Sequence, residues 1–345
     1  MLNFRNYGRL WRVYGRSIVG YGSFRKLWNA FLNELAYQRR QENVKSRPYL
    51  LFVEPLYLCN LQCPLCDRQK MPNDRAPGAR KLSLAIYDKV LDELGDYLLQ
   101  CHIFGLGEPL IDWGLTREVI RRAHRRRIFT LVSTNCTLVT DDIAAEAVSS
   151  GLDYLVCAID GVSQESYAKY RIGGKVHDAL AGLERFCRAR EKAKSPMQIE
   201  WQFLVHRYNV HELEEAREIA RNLEVFIRFA PIGGVEWNPL LQEYWLPDSR
   251  AAWQESRLSL GEVRNSFHCY WLWRGAVLNS DGNVARCPGY QNRALIGNLN
   301  RSAMMDLYNG ASSRRARQLF RRAKVPEGPF PEPCVTCNYY RREHG

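Results

Sequence analysis

Tyr57-Leu-Cys-Asn-Leu-Gln-Cys-Pro-Leu-Cys66 brings three thiols, Cys59, Cys63 and Cys66, into one short stretch with the spacing C-x3-C-x2-C. Three thiolates on one loop can hold three irons of a 4Fe–4S cluster, whose irons normally take four cysteines. The remaining iron then keeps an open coordination position, and open positions are where substrates or cosubstrates bind. A zinc site is the competing reading, but zinc knuckles pair a C-x2-C with a second close pair. The sequence offers no second Cys or His pair beside residues 59–66.

Outward from this loop, strand-like and helix-like stretches alternate. Strands read at 50–53, 102–106, 129–133, 154–159, 199–205 and 225–229. Helical periods lie between them at 84–99, 115–127, 140–149, 177–193 and 210–222. Asp141, Asp142 and Asn209 are candidate caps at helix starts, and Gly151 is a stop. Six β–α repeats imply parallel strands joined by right-handed crossovers. Six are too few for an eight-fold barrel, so the pattern predicts an α/β fold, a partial (β/α)6 TIM-type barrel with its chemistry at the C-terminal strand ends.

The thiol loop resembles the signature of radical S-adenosylmethionine (SAM) enzymes, where the residue before the third cysteine is hydrophobic or aromatic; here it is Leu65. The resemblance implies that the open iron chelates SAM, that one electron cleaves the sulfonium, and that the resulting radical takes a hydrogen from substrate. The partial barrel is the core fold of that family. His102-Ile-Phe-Gly-Leu-Gly-Glu-Pro109 is similar to the family's stretch against the SAM ammonium. It implies close backbone approach at Gly105 and Gly107 and a hydrogen bond accepted by Glu108. Ser133-Thr-Asn135 resembles the segment beside the SAM ribose, with Cys136 where relatives carry glycine. Asp160 lies in Ala158-Ile-Asp-Gly161, where relatives often have serine for Ala158. Arg171 matches an arginine near the SAM carboxylate, and a guanidinium fork suits that role. Gln202 is a further SAM-site candidate.

A second thiol set, Cys269, Cys287, Cys334 and Cys337, resembles the SPASM/twitch extension of the same family. Four thiolates complete one 4Fe–4S cluster, a four-cysteine zinc ribbon being the competitor. With the first loop this makes two 4Fe–4S clusters, one of them auxiliary. The expected domains are a helical segment at 1–48, the barrel at 49–230, a linker or cap at 231–264, and the SPASM/twitch domain at 265–345. A hairpin turn is expected at Asp281-Gly282 and a basic helix at about 312–324.

Composition narrows the class. Of 345 residues, 46% are hydrophobic and 25% charged, as in ordinary folded domains. No apolar run has transmembrane length, and the arginine-rich start is unlike a secretory signal. Eleven cysteines without export argue for metal ligation in a reducing, cytoplasmic compartment. The net charge of +12 is uneven: residues 1–48 hold ten Lys/Arg and two acids, hence +8. Phe4, Tyr7, Trp11, Tyr14 and Ile18 share one helical face there. Two readings stand: residues 1–20 lie on the anionic inner face of a membrane, or the aromatic face docks on the barrel. The basic stretches 117–127 and 314–324 lack the interleaved aromatics of a single-strand nucleic-acid platform, so nucleic acid is not expected.

The expected function is radical SAM oxidation of a polyol, sugar or lipid headgroup, a small or lipid-linked anionic substrate. The resemblance adds a reducing donor such as flavodoxin or ferredoxin. The alternative is a peptide-modifying or epimerising enzyme of the same family, with Cys136 as hydrogen-atom donor. Outside enzymes, the competitor is an Fe–S or zinc scaffold binding membrane or nucleic acid, which has no need of the strand-end motifs.

Overall fold

The computed structural model describes residues 11–69, 77–235, 238–248, 269–320, 330–331 and 333–337. Phe4 and Tyr7, most of the 231–264 linker and residues 321–324 of the basic helix lie outside them.

Six parallel strands form the barrel: β1 (Leu50–Val53), β2 (Gln100–Ile103), β3 (Phe129–Thr134), β4 (Tyr154–Ala158), β5 (Gln198–Val205) and β6 (Phe226–Pro231). The crossovers carry α-helices at Leu84–Leu94, Trp113–Arg125, Asp141–Ser149, Val176–Lys192 and Leu213–Asn222. Leu51, Val53, Cys101, Ile103, Val132 and Leu155 point outward to these helices and build the main core, the burial on both faces that parallel strands require. The architecture is the expected α/β partial barrel. The second strand ends at Ile103, before the glycine turn that the sequence reading included in it. Thr140 rather than the aspartates caps the third crossover helix, its side chain accepting from the Ile143 amide. Gly151 follows that helix at φ +90°, a conformation glycine reaches without strain.

The C-terminal region does not stand apart. β7 (Gly275–Leu278) pairs in parallel with β1, and the antiparallel β8 (Asn283–Ala285) and β9 (Leu295–Asn298) continue the same sheet. The strand order is β6-β5-β4-β3-β2-β1-β7-β8-β9. The Asp281-Gly282 turn forms, with Gly282 at φ +81° and the Asn279 amide donating to the Asn283 carbonyl.

The N-terminal helices sit at the opposite end of the barrel from the strand C-termini. A π-helical turn (Trp11–Gly15) leads into α1 (Arg16–Tyr21), and α2 (Phe24–Gln38) follows. Val13 packs with Phe129, Leu131, Tyr154 and Val156, and so stoppers the barrel floor. Of the expected aromatic face, Tyr14 packs on this floor beside Val13 and Tyr21, whereas Trp11 and Ile18 are exposed. Among the described residues no helix is long and apolar enough to cross a membrane.

Candidate functional site

The first thiol loop follows β1 and rests on the ends of the neighbouring strands. Cys63 and Cys66 share a tight turn through the Cys66 amide and the Cys63 carbonyl, 3.1 Å, and the Leu61 amide donates to Cys59 Sγ at 3.4 Å. Arg171 Nη1 lies 3.8 Å from Cys63 Sγ. Burial pushes the Cys63 thiol up to about 11, against the pull of that guanidinium, and burial raises Cys59 too. Buried thiols that resist ionisation alone, yet have cationic and amide donors aimed at sulfur, suit ligands whose charge a metal compensates. All eleven cysteines are free.

Gly107 makes this loop placement possible. A Cβ there would come within 1.9 Å of the Leu56 carbonyl oxygen, and the next amide, that of Glu108, donates to Leu58 at 2.7 Å. A Cβ on Gly105 would meet the Glu54 side chain at 2.7 Å. The close approach that these glycines permit within the chain is to its own loop and to Glu54. Glu108 is held by the chain around it. Its carboxylate is buried and committed, accepting from Thr134 Oγ1 (2.7 Å), the Leu110 amide (3.0 Å) and the Asn135 amide (2.8 Å). Burial pushes its pKa up despite these donors. It ties the turn after β2 to the end of β3.

Asn135 passes that order on to the thiol loop. Its Nδ2 donates to Asn60 Oδ1 at 3.0 Å, its Oδ1 accepts from Thr137, and Asn60 Nδ2 donates to Thr137 Oγ1 at 2.8 Å. Ser133 is half-buried at the end of β3. Cys136 holds φ +63°, in the region that favours glycine, and its side chain is fully buried in the main core with Cys157. The thiol expected at the barrel mouth therefore lies inside the wall.

Asp160 is fully buried. Its Oδ2 accepts from Arg171 Nε at 2.6 Å and its Oδ1 from the Leu204 amide at 2.7 Å, so it aims Arg171 at Cys63. Gln202 on β5 accepts from Arg228 Nη2. Arg228 Nε donates to Glu200 at 2.6 Å, and Tyr154 Oη donates to the same carboxylate at 2.6 Å. Glu200, Gln202 and Arg228 form a polar ladder inside the barrel that sequence reading reached only at Gln202. The signal was available: Gln198, Glu200 and Gln202 alternate along a strand otherwise apolar enough to be buried.

His206 is a second omission. It is fully buried at the end of β5, boxed by the rings of Tyr170, Tyr208 and Trp245 at 5.5–6.1 Å. Neither ring nitrogen has a partner among the described residues. Burial, with the Arg171 charge adding to it, pushes its imidazole down to about 3.

The second thiol set gathers from 69 residues of sequence. Cys269, Cys287, Cys334 and Cys337 stand on the walls of one cavity of about 160 Å³, with Leu272, Tyr290 and Phe320. Burial pushes Cys287 up to about 12 and raises Cys269. Arg286 Nη1 lies 3.7 Å from Cys334 Sγ, repeating the arginine-on-thiol contact of the first set. Among the described residues no three Cys, His, Asp or Glu side chains are grouped as ligands of a single metal ion. The four thiols face one void.

Set against known proteins, residues 53–198 match the model of the Radical SAM superfamily, and residues 269–338 match that of SPASM, an iron–sulfur cluster-binding domain. The chain is 23% identical over 322 residues to a PqqA peptide cyclase of Granulibacter bethesdensis, covering 86% of this chain and 80% of that protein. It is 26% identical over 333 residues to a PqqA peptide cyclase of Gluconobacter oxydans, covering 87% and 85%. The structure of Streptococcus suis SuiB bound to S-adenosylmethionine superposes with a TM-score of 0.61 at 14% identity, over 91% of this chain and 76% of that one. Native anSMEcpe with bound AdoMet gives 0.55 at 15% identity, over 85% and 87%. The last two share the fold.

Proposed function

We propose that this chain, which belongs to the radical SAM superfamily and carries a C-terminal SPASM domain, is an enzyme that modifies a peptide. One observation carries the substrate class: two relatives similar over most of their own length are PqqA peptide cyclases. The polyol, sugar or lipid headgroup favoured by the sequence finds no support in these relatives.

SAM and a reduced iron–sulfur cluster supply, when bound, one-electron chemistry that removes a hydrogen atom from carbon. Cys59, Cys63 and Cys66 would hold that cluster. Arg171 balances the charge of the Cys63 thiolate, and Asp160 keeps the guanidinium from turning away. Asn60, Asn135 and Thr137 pin the loop to β3. Cys269, Cys287, Cys334 and Cys337 would hold a second cluster, with Arg286 in the role of Arg171. Glu200, Gln202 and Arg228 offer hydrogen-bonding groups inside the barrel for a substrate or for SAM. A low-potential donor such as flavodoxin or ferredoxin would supply the electron.

The test is turnover of the reconstituted enzyme with SAM, dithionite and short peptides, followed by mass spectrometry. Cyclisation predicts a product lighter by two hydrogen atoms and a new bond between residues. SAM cleavage with every peptide unchanged, while a polyol or lipid headgroup is oxidised, would reverse the assignment.

A further inference from the structure

Helix α2 is inside out. Phe24, Leu27, Trp28, Phe31 and Leu32 recur at the spacing of one helical face, the face that normally meets a core. Here that face is outward: Phe24 is 85%, Trp28 52% and Phe31 54% exposed. The polar face is buried instead. Lys26 Nζ donates to the carbonyls of Arg126 and Arg127, and Asn29 and Asn33 each donate to the Arg47 carbonyl at 2.9 Å. Rolling the helix to hide its aromatics would strand these buried polar groups, so intramolecular cover would break five hydrogen bonds, counting the Arg47 amide that donates to Asn29 Oδ1.

The outward rings already lie against one another. Phe24 and Trp28 stack with centroids 6.4 Å apart, and Trp28 and Phe31 follow at 5.4 Å. Gly22 brings the end of α1 close to Leu27, and Ile18 and Val19 on α1 are exposed as well. The rim is basic. The helix is anchored on the turn that carries the exposed Arg125, Arg126 and Arg127, where Arg127 also donates to the Gly20 carbonyl. Arg25 projects from α2 itself. Asp96 pairs with Arg25 and Asp92 with Arg126, so acids offset part of this charge.

We propose that this face seats the protein on the surface of an anionic bilayer. Aromatic and aliphatic side chains between arginines suit the headgroup–acyl boundary, where the rings enter and the guanidinium groups meet phosphate. A second copy of the chain would bring like-charged rims together, in a segment whose residues 1–48 carry +8. The contact differs from the one residues 1–20 alone suggest: it centres on α2, and it stands independently of the substrate class.

Sedimentation of the iron-loaded full chain with phosphatidylcholine vesicles, with and without phosphatidylglycerol, tests it. Binding is expected only with the anionic lipid, with a blue shift in tryptophan emission and release as salt screens the arginines. Phe24→Ser, Trp28→Ser and Phe31→Ser together, all exposed, should weaken partitioning by at least about tenfold. Circular dichroism and iron content should stay unchanged. Failure of the folded parent to bind anionic vesicles overturns the proposal. So does binding that the triple variant retains, or dimerisation in the absence of lipid that the same variant abolishes.

Discussion

Replacing Asp160 by alanine tests how the barrel holds its buried cation. The carboxylate is fully buried, the partner Arg171 side chain is 12% exposed, and they meet at 2.6 Å. Removing one member of a buried pair costs about 3–5 kcal/mol, because the other charge stays behind without compensation. The Leu204 amide loses its acceptor as well, so the upper half of that range applies, about 4–5 kcal/mol. With an unfolding entropy of about 2.1 cal/mol/K per residue, 345 residues give about 0.7 kcal/mol/K. Asp160→Ala should therefore lower Tm by about 6 °C. Asp160→Asn keeps an acceptor for Leu204 and should lose less. Asp160→Ala with Arg171→Leu removes the stranded charge and should recover part of the loss. Calorimetry on iron-free protein separates this from cluster loss. If Asp160→Ala melts within about 1 °C of the parent, or if the double variant loses the sum of the singles, the pair is not the buried electrostatic unit described.

Gly107→Ala would drive a methyl into the Leu56 carbonyl, and it should abolish iron at the first thiol loop while sparing the second; equal loss at both would sink this account. His206 is held neutral, so the unfolded chain binds more protons below its ordinary value of about 6.5, and stability falls as pH drops toward about 3. Between pH 7.5 and 5 the loss from this group is about 2 kcal/mol, and His206→Phe, which keeps the ring box, should abolish that part of the acid sensitivity in urea titrations. Fully loaded protein should contain about eight irons, four per cluster. Replacing Cys59, Cys63 and Cys66 by alanine should remove half of them and all SAM cleavage; stoichiometric zinc after anaerobic purification would contradict the count. Cys136→Ala should turn over normally, without altered deuterium uptake from heavy water, because the thiol is sealed in the core.

The thiol spacing and the β–α alternation were legible because both are local. C-x3-C-x2-C is one turn of chain, and each strand declares itself by its own apolar run. What was hidden depends on partners far away in sequence. Lys26, Asn29 and Asn33 look like a solvent face until the Arg47 and Arg127 carbonyls are placed beneath them. That Glu108 bonds Thr134 and Asn135 shows only once the ends of β2 and β3 are adjacent. The short helix Gln164–Tyr170 has too few turns to show a period. Arg228 and Glu200 are ordinary charges until the register of β5 and β6 sets them side by side.

The pairing of β7 with β1 fixes how the two thiol regions can be separated. Leu50, Leu51, Phe52 and Val53 draw one row of their ladder bonds from Gly275–Leu278, and the Glu54 amide adds another to the Leu278 carbonyl. A chain cut before the second region would leave this fully apolar strand as a bare sheet edge, the kind of surface that recruits other chains. The C-terminal region is thus the lateral seal of the barrel as well as the holder of its own thiols. Dissection by truncation would yield aggregates, and the contribution of the second thiol set has to be read from point substitutions.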